Sequence, residues 1–355
     1  MTKIQPMSQS ADFSGQVRER GFPGLYDLAK IWNPSWFQGN RKRKNHFEGW
    51  YIKLVSSGGN HIWSFIPGVS LNNEDDHAFI QVINGKTGET WYFRFPVESF
   101  VFSRNDFHAR IGDNEVSRSH IRLNLQSPEG HFHGEVFFTG QTPLKATLLR
   151  PGIMGWYRYA PFMECYHGVV SMDHHLHGQM QLNGQKVDFG NGKGYIEKDW
   201  GTSMPAAWIW MQSNHFGAAN TSFMLSVANV PWMGKSFPGF LGFFLHKGKR
   251  HLFATYNGAK ISRLENKGNL LYLTVKKNDL RIDIRGEQGA TPPGKKENPG
   301  ALKAPQQGQM NRVIHENLSA NLHIAVKNKN GNLLFEGTGR HAGLEMIGDM
   351  ASLRS

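Results

Sequence analysis

Apolar and polar residues alternate with a period of two along most of the chain from Phe47 onward. Many short alternating segments separated by turn residues are typical of an antiparallel β-sandwich or β-barrel. The segments with this pattern are Phe47–Val55, His61–Val69, His77–Ile83, Thr90–Phe95, Ser119–Leu125, Phe132–Phe138, His177–Leu182, Lys186–Phe189, Trp208–His215, Ser222–Ala228, Gly242–His246, His251–Tyr256, Leu270–Lys276 and Leu280–Arg285. The dipeptide Asn183-Gly184 is a strong hairpin signal. A sustained helical period is missing, and only residues 25–37 predict a short helix, ended by Asn33-Pro34.

The length of 355 residues predicts two domains. We expect a flexible tail over residues 1–24, a first β-domain over 25–155 and a second over 156–355, because Arg150-Pro151-Gly152 ends the first set of strands. Residues 286–311 are rich in Gly, Pro, Lys and Gln. They predict a long mobile loop between two strands of the second domain, with a flap over a site as the less favoured alternative.

Composition narrows the function classes. Hydrophobic residues make up 39% of the chain and aromatic residues 12%, enough to fill a core or line an apolar cavity. The formal net charge is +12. The densest basic clusters, Arg41–Lys44 and Lys247–Arg250, do not lie in Arg-rich helices, and we expect no nucleic-acid partner. Solvated loops are the favoured interpretation of these clusters, and a weak attraction to anionic membranes is the second.

Targeting and redox signals are sparse. Cys165 is the single cysteine, which excludes an intramolecular disulfide and fits a reducing compartment. Residues 1–14 lack the apolar core of a secretory signal, and no stretch is long and apolar enough to span a bilayer. We therefore expect a cytoplasmic protein, with peripheral membrane contact as the alternative.

The first motif with chemical content is HFEGWYIK, from His46 to Lys53. On a strand, Glu48 and Trp50 share one face and Tyr51 lies on the other. A carboxylate beside an indole on an inward face is poorly solvated, so it must pair, accept several hydrogen bonds or hold its proton. The alternative is that Glu48 bridges to an Arg or to backbone amides inside a barrel.

The second motif is GYIEKDWG, Gly194–Gly201, followed by Trp208–Phe216. Alternation places Glu197 and Asp199 on one face with side chains roughly 7 Å apart. Two carboxylates at that spacing in a dry pocket cannot both ionise cheaply, so one is pushed toward the protonated acid. The alternative is a charged corner held by Lys198.

These runs resemble the tocopherol cyclase family. The FEGWY block and the EKDWG block followed by a W-x-W-x-Q strand are its most specific features, and the likeness is greatest to the bacterial members. A third match is AGLEM at Ala342–Met346. The resemblance covers residues 33–350. Plant members carry Asn where this chain has Asp199, so a role for that side chain does not carry over unchanged.

More distantly, the G-Y-x-x-x-D-W-G arrangement is similar to one in the carotenoid hydratases and hydroxyneurosporene-synthase-like proteins. That group has two lipocalin-like domains. The resemblance therefore implies an all-β fold of two lipocalin-like antiparallel β-barrels with few short helices.

The resemblance also implies a reaction. The plant family closes a chromanol ring by protonating an alkene and letting a phenol oxygen capture the cation, with no redox cofactor or metal. Asp199 or Glu197 would be the acid here, with Glu48 third. The candidate tryptophans would line the cavity and face the cation, while Gln212, His167 or Tyr195 would orient a ring hydroxyl. The substrate-binding candidates are Trp50, Tyr51, His167, Tyr195, Trp200, Trp208, Trp210 and Gln212. Alternatively, at least half of the tryptophans fill barrel cores.

Asp173, His175 and His177 would share one face of a strand and offer metal ligands. The segment is more typical of an ordinary strand leading into the Asn183-Gly184 hairpin, and we predict no metal site. The leading function is thus a cofactor-independent cyclase, hydratase or isomerase of an isoprenoid or similarly apolar alkene in a barrel cavity. The chief competitor is a non-catalytic lipid or quinone binder, and a filled structural protein is the third.

Overall fold

The computed structural model describes residues 12–160, 163–232, 235–289 and 301–354, with the backbone alone at Trp232 and Lys235. Strand accounts for 61% of the described residues and helix for 6%, and every strand pairing among them is antiparallel, which confirms the all-β prediction. The helix α1, Leu25–Ala29, is shorter than predicted. In the described ranges, no helix has the length and apolarity needed to cross a membrane.

The strands are β1 Gly15–Gln16, β2 His46–Val55, β3 Ile62–Leu71, β4 His77–Asn84, β5 Thr90–Pro96, β6 Phe100–Phe102, β7 His108–Ile111, β8 Asn114–Ser117, β9 His120–Ser127, β10 Gly130–Thr139, β11 Cys165–Leu182, β12 Gln185–Asp188, β13 Gly192–Gly201, β14 Trp208–Ser213, β15 Thr221–Trp232, β16 Lys235–His246, β17 Lys249–Ala254, β18 Lys260–Lys267, β19 Leu270–Lys277, β20 Leu280–Glu287, β21 Ala301–Gln306, β22 Gln309–His315, β23 Asn317–Asn328 and β24 Leu333–Ile347. Short 3-10 helices cover Val97–Ser99, Gly155–Tyr159, Thr255–Asn257 and Met350–Leu353. The predicted hairpin between β11 and β12 forms, with Asn183 at φ 49° and Gly184 at φ 85°. These left-handed values are those that an Asn-Gly turn supplies.

Two large sheets make up the fold. The first has the order β1-β6-β7-β8-β9-β10-β11-β13-β2-β3-β4-β5, with β12 paired to β11. The second has the order β17-β16-β15-β14-β24-β23-β20-β19-β18. The first sheet curls on itself: Trp91 of the edge strand β5 meets Phe132 of β10 edge to face with ring centroids 4.9 Å apart, and its indole N–H donates to the Glu129 carbonyl.

Two segments differ from their predicted organisation. Strands β11 and β13 pair within the first sheet, so the change of sheet falls between Gly201 and Trp208, later than the expected boundary at 155. Part of the 286–311 segment predicted as a mobile loop is regular: β20 continues to Glu287, and β21 and β22 form a separate hairpin. Residues 290–300 lie outside the described residues.

Three apolar clusters fill the molecule: one inside each half and a third between them. Strand β2 contributes to two clusters because its side chains alternate. Trp50 and Ile52 enter the core of the first half, whereas Tyr51 and Val55 enter the cluster between the halves. A single strand thus forms both the wall of one core and the floor of the space next to it.

A fully buried ion pair lies inside the first half. The Lys198 ammonium is 2.5 Å from the Glu48 carboxylate, and both side chains have 0% exposure. Glu48 also accepts a hydrogen bond from the backbone N–H of Gln38 at 2.7 Å, and Lys198 donates to the Pro34 carbonyl at 3.0 Å. Burial opposes ionisation of Glu48, but the Lys198 charge together with His46 outweighs burial and lowers the carboxyl pKa. The pair ties the segment before β2 to the β2–β13 ladder.

We predict that Lys198→Met lowers the free energy of unfolding by about 3–5 kcal/mol, because it leaves Glu48 buried without its counter-charge. Urea denaturation measures the loss. The double variant Glu48→Gln/Lys198→Met removes both charges and is expected to recover part of the stability. A single variant as stable as the wild type would contradict this assignment.

Candidate functional site

A cavity of about 360 Å³ lies between the two sheets. Its floor comes from β2 and β13, its opposite wall from β14, β15 and β16, and the β21–β22 hairpin covers one side. The sequence predicted a cavity within a barrel, but the interior of each half holds a packed core and this cavity lies between the halves. Apolar lining residues include Phe47, Ile66, Phe79, Met154, Trp156, Tyr157, Met163, Met204, Phe237, Phe240, Leu241, Leu302, Met310 and Ile314.

An imidazole and two carboxyl groups meet in the cavity wall. His167 of β11 lies directly across the ladder from Asp199 of β13, and its Nδ1 is 2.8 Å from Asp199 Oδ1. The other ring nitrogen, Nε2, is 3.5 Å from Glu197 Oε2. Glu197 Oε2 also accepts from the Tyr195 hydroxyl at 2.6 Å and the Trp210 indole N–H at 3.2 Å. Register and alternation together create this trio.

Burial and mutual charge set the protonation of the trio. Burial disfavours the His167 cation, but the Asp199 and Glu197 carboxyl groups outweigh burial and raise its pKa to about 9. Burial, with a further contribution from Asp199, raises the pKa of Glu197 to about 7 although His167 opposes the shift. Near neutral pH the site therefore combines a protonated imidazole with a carboxyl group able to hold its proton.

Two further buried carboxyl groups line the cavity. Glu316, immediately before β23, accepts from the Tyr51 hydroxyl at 2.5 Å, and its Oε2 is buried without a hydrogen-bond partner. Glu345 of β24 accepts from the Trp208 indole N–H at 2.5 Å. Burial raises the pKa of Glu316 to about 7 and that of Glu345 well above its usual range. Sequence analysis missed both, although Glu345 lies in the AGLEM match.

The sequence-predicted residues divide into two groups. Those that line the cavity are Tyr51, His167, Glu197, Asp199, Trp208 and Trp210. Those that lie outside its lining are Glu48, Trp50, Tyr195, Trp200 and Gln212.

The β2–β13 register explains why Glu48, Trp50 and Trp200 are excluded from the cavity. Glu48 pairs with Trp200, and Trp50 pairs with Lys198. These side chains face the first half, the side opposite to Glu197. Trp50 donates its indole N–H to the Ser35 carbonyl, and Trp200 stacks on Tyr166. The contacts of both indoles are thus with protein groups outside the cavity lining.

Tyr195 and Gln212 share the cavity-side face but lie beyond the lining. Tyr195 is fully buried and donates to Glu197, so it contacts the acid rather than the open space. The amide nitrogen and oxygen of Gln212 are both buried without a partner, which leaves its predicted hydroxyl-orienting role a prediction.

Possible metal ligands occur in places other than the predicted histidine run. A register shift between Ser171 and His174 interrupts the strand pairing. Asp173 is buried and accepts a hydrogen bond from the Asn214 side-chain amide, whereas His175 and His177 are exposed. Among the described residues, ligand atoms lie within 4.8 Å of one another in two groups: His108, Glu115 and His120, and His167, Glu197 and Asp199. In the second group the two ring nitrogens of His167 face the carboxyl groups of Glu197 and Asp199.

Cys165 forms part of the cavity wall, with its Sγ 4.0 Å from Asp199 Oδ1 and 3.8 Å from Met204 Sδ. Burial raises the pKa of its thiol well above the usual range. A thiol in this state is a poor nucleophile.

Comparison with known proteins shows which family the sequence of this chain matches. The family described as "Tocopherol cyclase-like" matches residues 144–348. A probable chloroplastic tocopherol cyclase of Oryza sativa subsp. japonica is 28% identical over 109 residues, 29% of this chain and 23% of the rice protein. The chloroplastic tocopherol cyclase of Zea mays is 31% identical over 74 residues, 21% of this chain and 16% of the maize protein. The aligned stretches thus span less than a quarter of either relative.

Solved structures support the fold. The crystal structure of CghA superposes with a TM-score of 0.54 at 10% identity and covers 96% of this chain and 98% of that chain. Its complex with Sch210972 gives a TM-score of 0.51 at 9% identity, with coverage of 88% and 91%. At this identity the likeness shows a shared architecture of two lipocalin-like halves.

We predict that the His167 ring titrates near pH 9 and that Asp199→Asn lowers this midpoint by about one unit or more, because the variant removes the largest favourable contact of the imidazolium. NMR of histidine ring-labelled protein measures both midpoints. Since the pKa lies above the ordinary 6.5, the stabilisation from this contact is complete below pH 6.5 and is lost as pH rises through about 9. A midpoint below 6.5 in the wild type would contradict the imidazolium assignment.

Proposed function

The chain belongs to the tocopherol cyclase-like family, and on that premise we propose that it is a cofactor-independent enzyme that protonates the alkene of an apolar isoprenoid substrate in the cavity between the halves. The tertiary cation that forms is captured by a phenol oxygen of the same molecule, which closes a ring. Water capture or proton loss would give hydration or isomerisation instead. The observation that carries this proposal is the carboxyl of Glu197, buried in the wall of a mostly apolar cavity with its pKa raised to about 7.

Glu197 is the best acid among the predicted carboxyl groups. General acids work best when their pKa lies near the working pH. The Tyr195 hydroxyl and the Trp210 indole both donate to Oε2, and His167 faces the same oxygen. This arrangement assigns the transferable proton to Oε1. Glu48 does not fit the role because it is ion-paired with Lys198 outside the cavity.

Aromatic faces and carboxyl groups suit a cationic intermediate. Tyr51 and Trp210 meet edge to face with ring centroids 5.3 Å apart, and both line the cavity beside Trp208. The π-face of an aromatic ring attracts a cation more strongly when water is excluded. Glu316 and Glu345 also line the cavity and would contribute negative charge or dipoles as the cation develops.

The proposed step balances without a co-reactant. Glu197 gives its proton to one alkene carbon, and the phenol oxygen forms a bond to the other. The phenol proton then returns to Glu197, so the product is an isomer of the substrate. We assign Asp199, the first-choice acid from sequence, to a positioning role, because its Oδ1 holds His167 against Glu197.

Turnover in D₂O with a prenylated hydroquinone tests the reaction. Alkene protonation places one non-exchangeable deuterium on carbon in each ring-closed product, which mass spectrometry detects.

We predict that Glu197→Gln lowers kcat at least about 100-fold, because an amide cannot supply the proton. Glu336→Gln, a neutral-for-charged change at an exposed carboxyl, is the matched control and is expected to turn over like the wild type.

Three outcomes would contradict the proposal. Full turnover by Glu197→Gln would remove Glu197 from the acid role. Ring closure without carbon-bound deuterium would exclude alkene protonation. Co-purification of a lipid or quinone with a protein that converts no prenylated phenol would favour the non-catalytic binder.

A further inference from the structure

Large apolar side chains are exposed on two segments of the first half. In the segment before and within α1, the exposed fraction is 95% for Phe22, 88% for Leu25 and 57% for Leu28. In the segment between β10 and β11, it is 72% for Leu148 and 85% for Leu149. Isolated exposed apolar residues are ordinary, but several on neighbouring segments indicate an interaction surface.

The two segments are neighbours in space. Trp32, just after α1, meets Tyr159 edge to face with ring centroids 6.4 Å apart. The Tyr159 hydroxyl donates to the Leu148 carbonyl at 2.5 Å, which holds the Leu148-Leu149 tip beside the 3-10 helix Gly155–Tyr159. We call the exposed residues of these segments, Phe22, Leu25, Leu28, Leu148, Leu149 and Trp156, the apolar rim.

Basic residues flank the apolar rim. Arg41 donates to the carbonyls of Gly21 and Phe22, which brings the cluster Arg41–Lys44 next to the first segment. Lys145 and Arg150 lie on either side of the second. The neighbouring acid, Asp27, is already paired with Arg41 at 2.7 Å and with Lys30 at 3.0 Å. Exposed apolar groups beside a surplus of Lys and Arg complement a surface with anionic headgroups over an apolar interior.

The apolar rim is continuous with the cavity. Met154, Trp156 and Tyr157 come from the segment that carries Leu148 and Leu149, and all three line the cavity. Trp156 is itself 51% exposed, so one side chain contacts both the cavity and the solvent. An apolar molecule that leaves a bilayer at this point would pass from lipid to the cavity with little exposure to water.

We propose that the apolar rim docks on an anionic lipid bilayer and that the cavity takes its substrate from that bilayer. The second clause rests on the proposed function. Docking itself depends only on the rim and its basic flanks: the Leu and Phe side chains enter the interface, and the Arg and Lys side chains contact lipid headgroups. In this proposal the basic cluster Arg41–Lys44 contacts lipid headgroups, a role that a loop exposed only to water would not have.

Co-sedimentation with phosphatidylcholine vesicles, with and without phosphatidylglycerol, tests docking without any substrate. We expect the wild type to bind the anionic vesicles, with weaker binding at high salt. The variant Leu148→Ser/Leu149→Ser should bind at least about tenfold more weakly, because two apolar side chains no longer enter the interface. The matched control is Leu333→Ser/Leu334→Ser, a second exposed leucine pair with fractions of 52% and 53%, which should bind like the wild type.

A second variant, Lys42→Gln/Arg43→Gln/Lys44→Gln, should lose the preference for anionic vesicles. Failure of the wild type to bind, or equal losses in both leucine variants, would overturn the proposal. A concentration-dependent dimer that Leu148→Ser/Leu149→Ser abolishes would overturn it in favour of a second copy of the chain. Because detergent-dispersed substrate bypasses the bilayer, turnover under that condition tests the chemistry separately from docking.

Discussion

The antiparallel pairing of β13 with β2 is the constraint on which the rest of this structure depends. One ladder separates two environments: Glu48, Trp50 and Lys198 point into the core of the first half, and Tyr51, Glu197 and Asp199 point into the space between the halves. A shift of the register by one residue would exchange the two faces. The buried Glu48–Lys198 pair penalises such a shift, because a displaced partner would leave an uncompensated charge in the core.

The cavity concentrates groups that are costly to bury. Glu197, Glu316 and Glu345 each accept a hydrogen bond from a Tyr or Trp side chain, and burial raises the pKa of all three. Hydrogen bonds from these neutral donors reduce the cost of burial. The charges of His167 beside Glu197 and of Lys53 near Glu316 oppose the rise in pKa without reversing it, so the proton remains the main means of neutralisation. The same physics that makes these positions unfavourable for stability makes a carboxyl there an effective acid.

The family match and the cavity overlap in an informative way. Residues 144–348 include His167, Glu197, Asp199, Glu316 and Glu345, so the match contains the imidazole and the four carboxyl groups discussed for the cavity. Tyr51 comes from β2, outside the match, yet it bonds Glu316. The first half therefore contributes the floor and a supporting hydrogen bond, whereas strands from both sheets supply the acids. Similarity to CghA extends over both halves and indicates that this arrangement of two sheets is shared at very low sequence identity.

Periodicity alone determined the strand-rich fold and most strand positions from β2 to β20, because alternation is a local property of the backbone. It also placed Glu197 and Asp199 on the same face of one strand. It could not decide which face of β2 and β13 meets the cavity, so Glu48 and Trp50 were grouped with Glu197 although they lie on the opposite side. Glu316, far along the chain from Tyr51, joined the site only through tertiary contact. Long-range pairing also decided that β11 and β13 complete the first sheet and that the cavity lies between the halves. The physical reason is that a strand pattern specifies two faces, while only the partners packed against each face determine which one is core and which one is site.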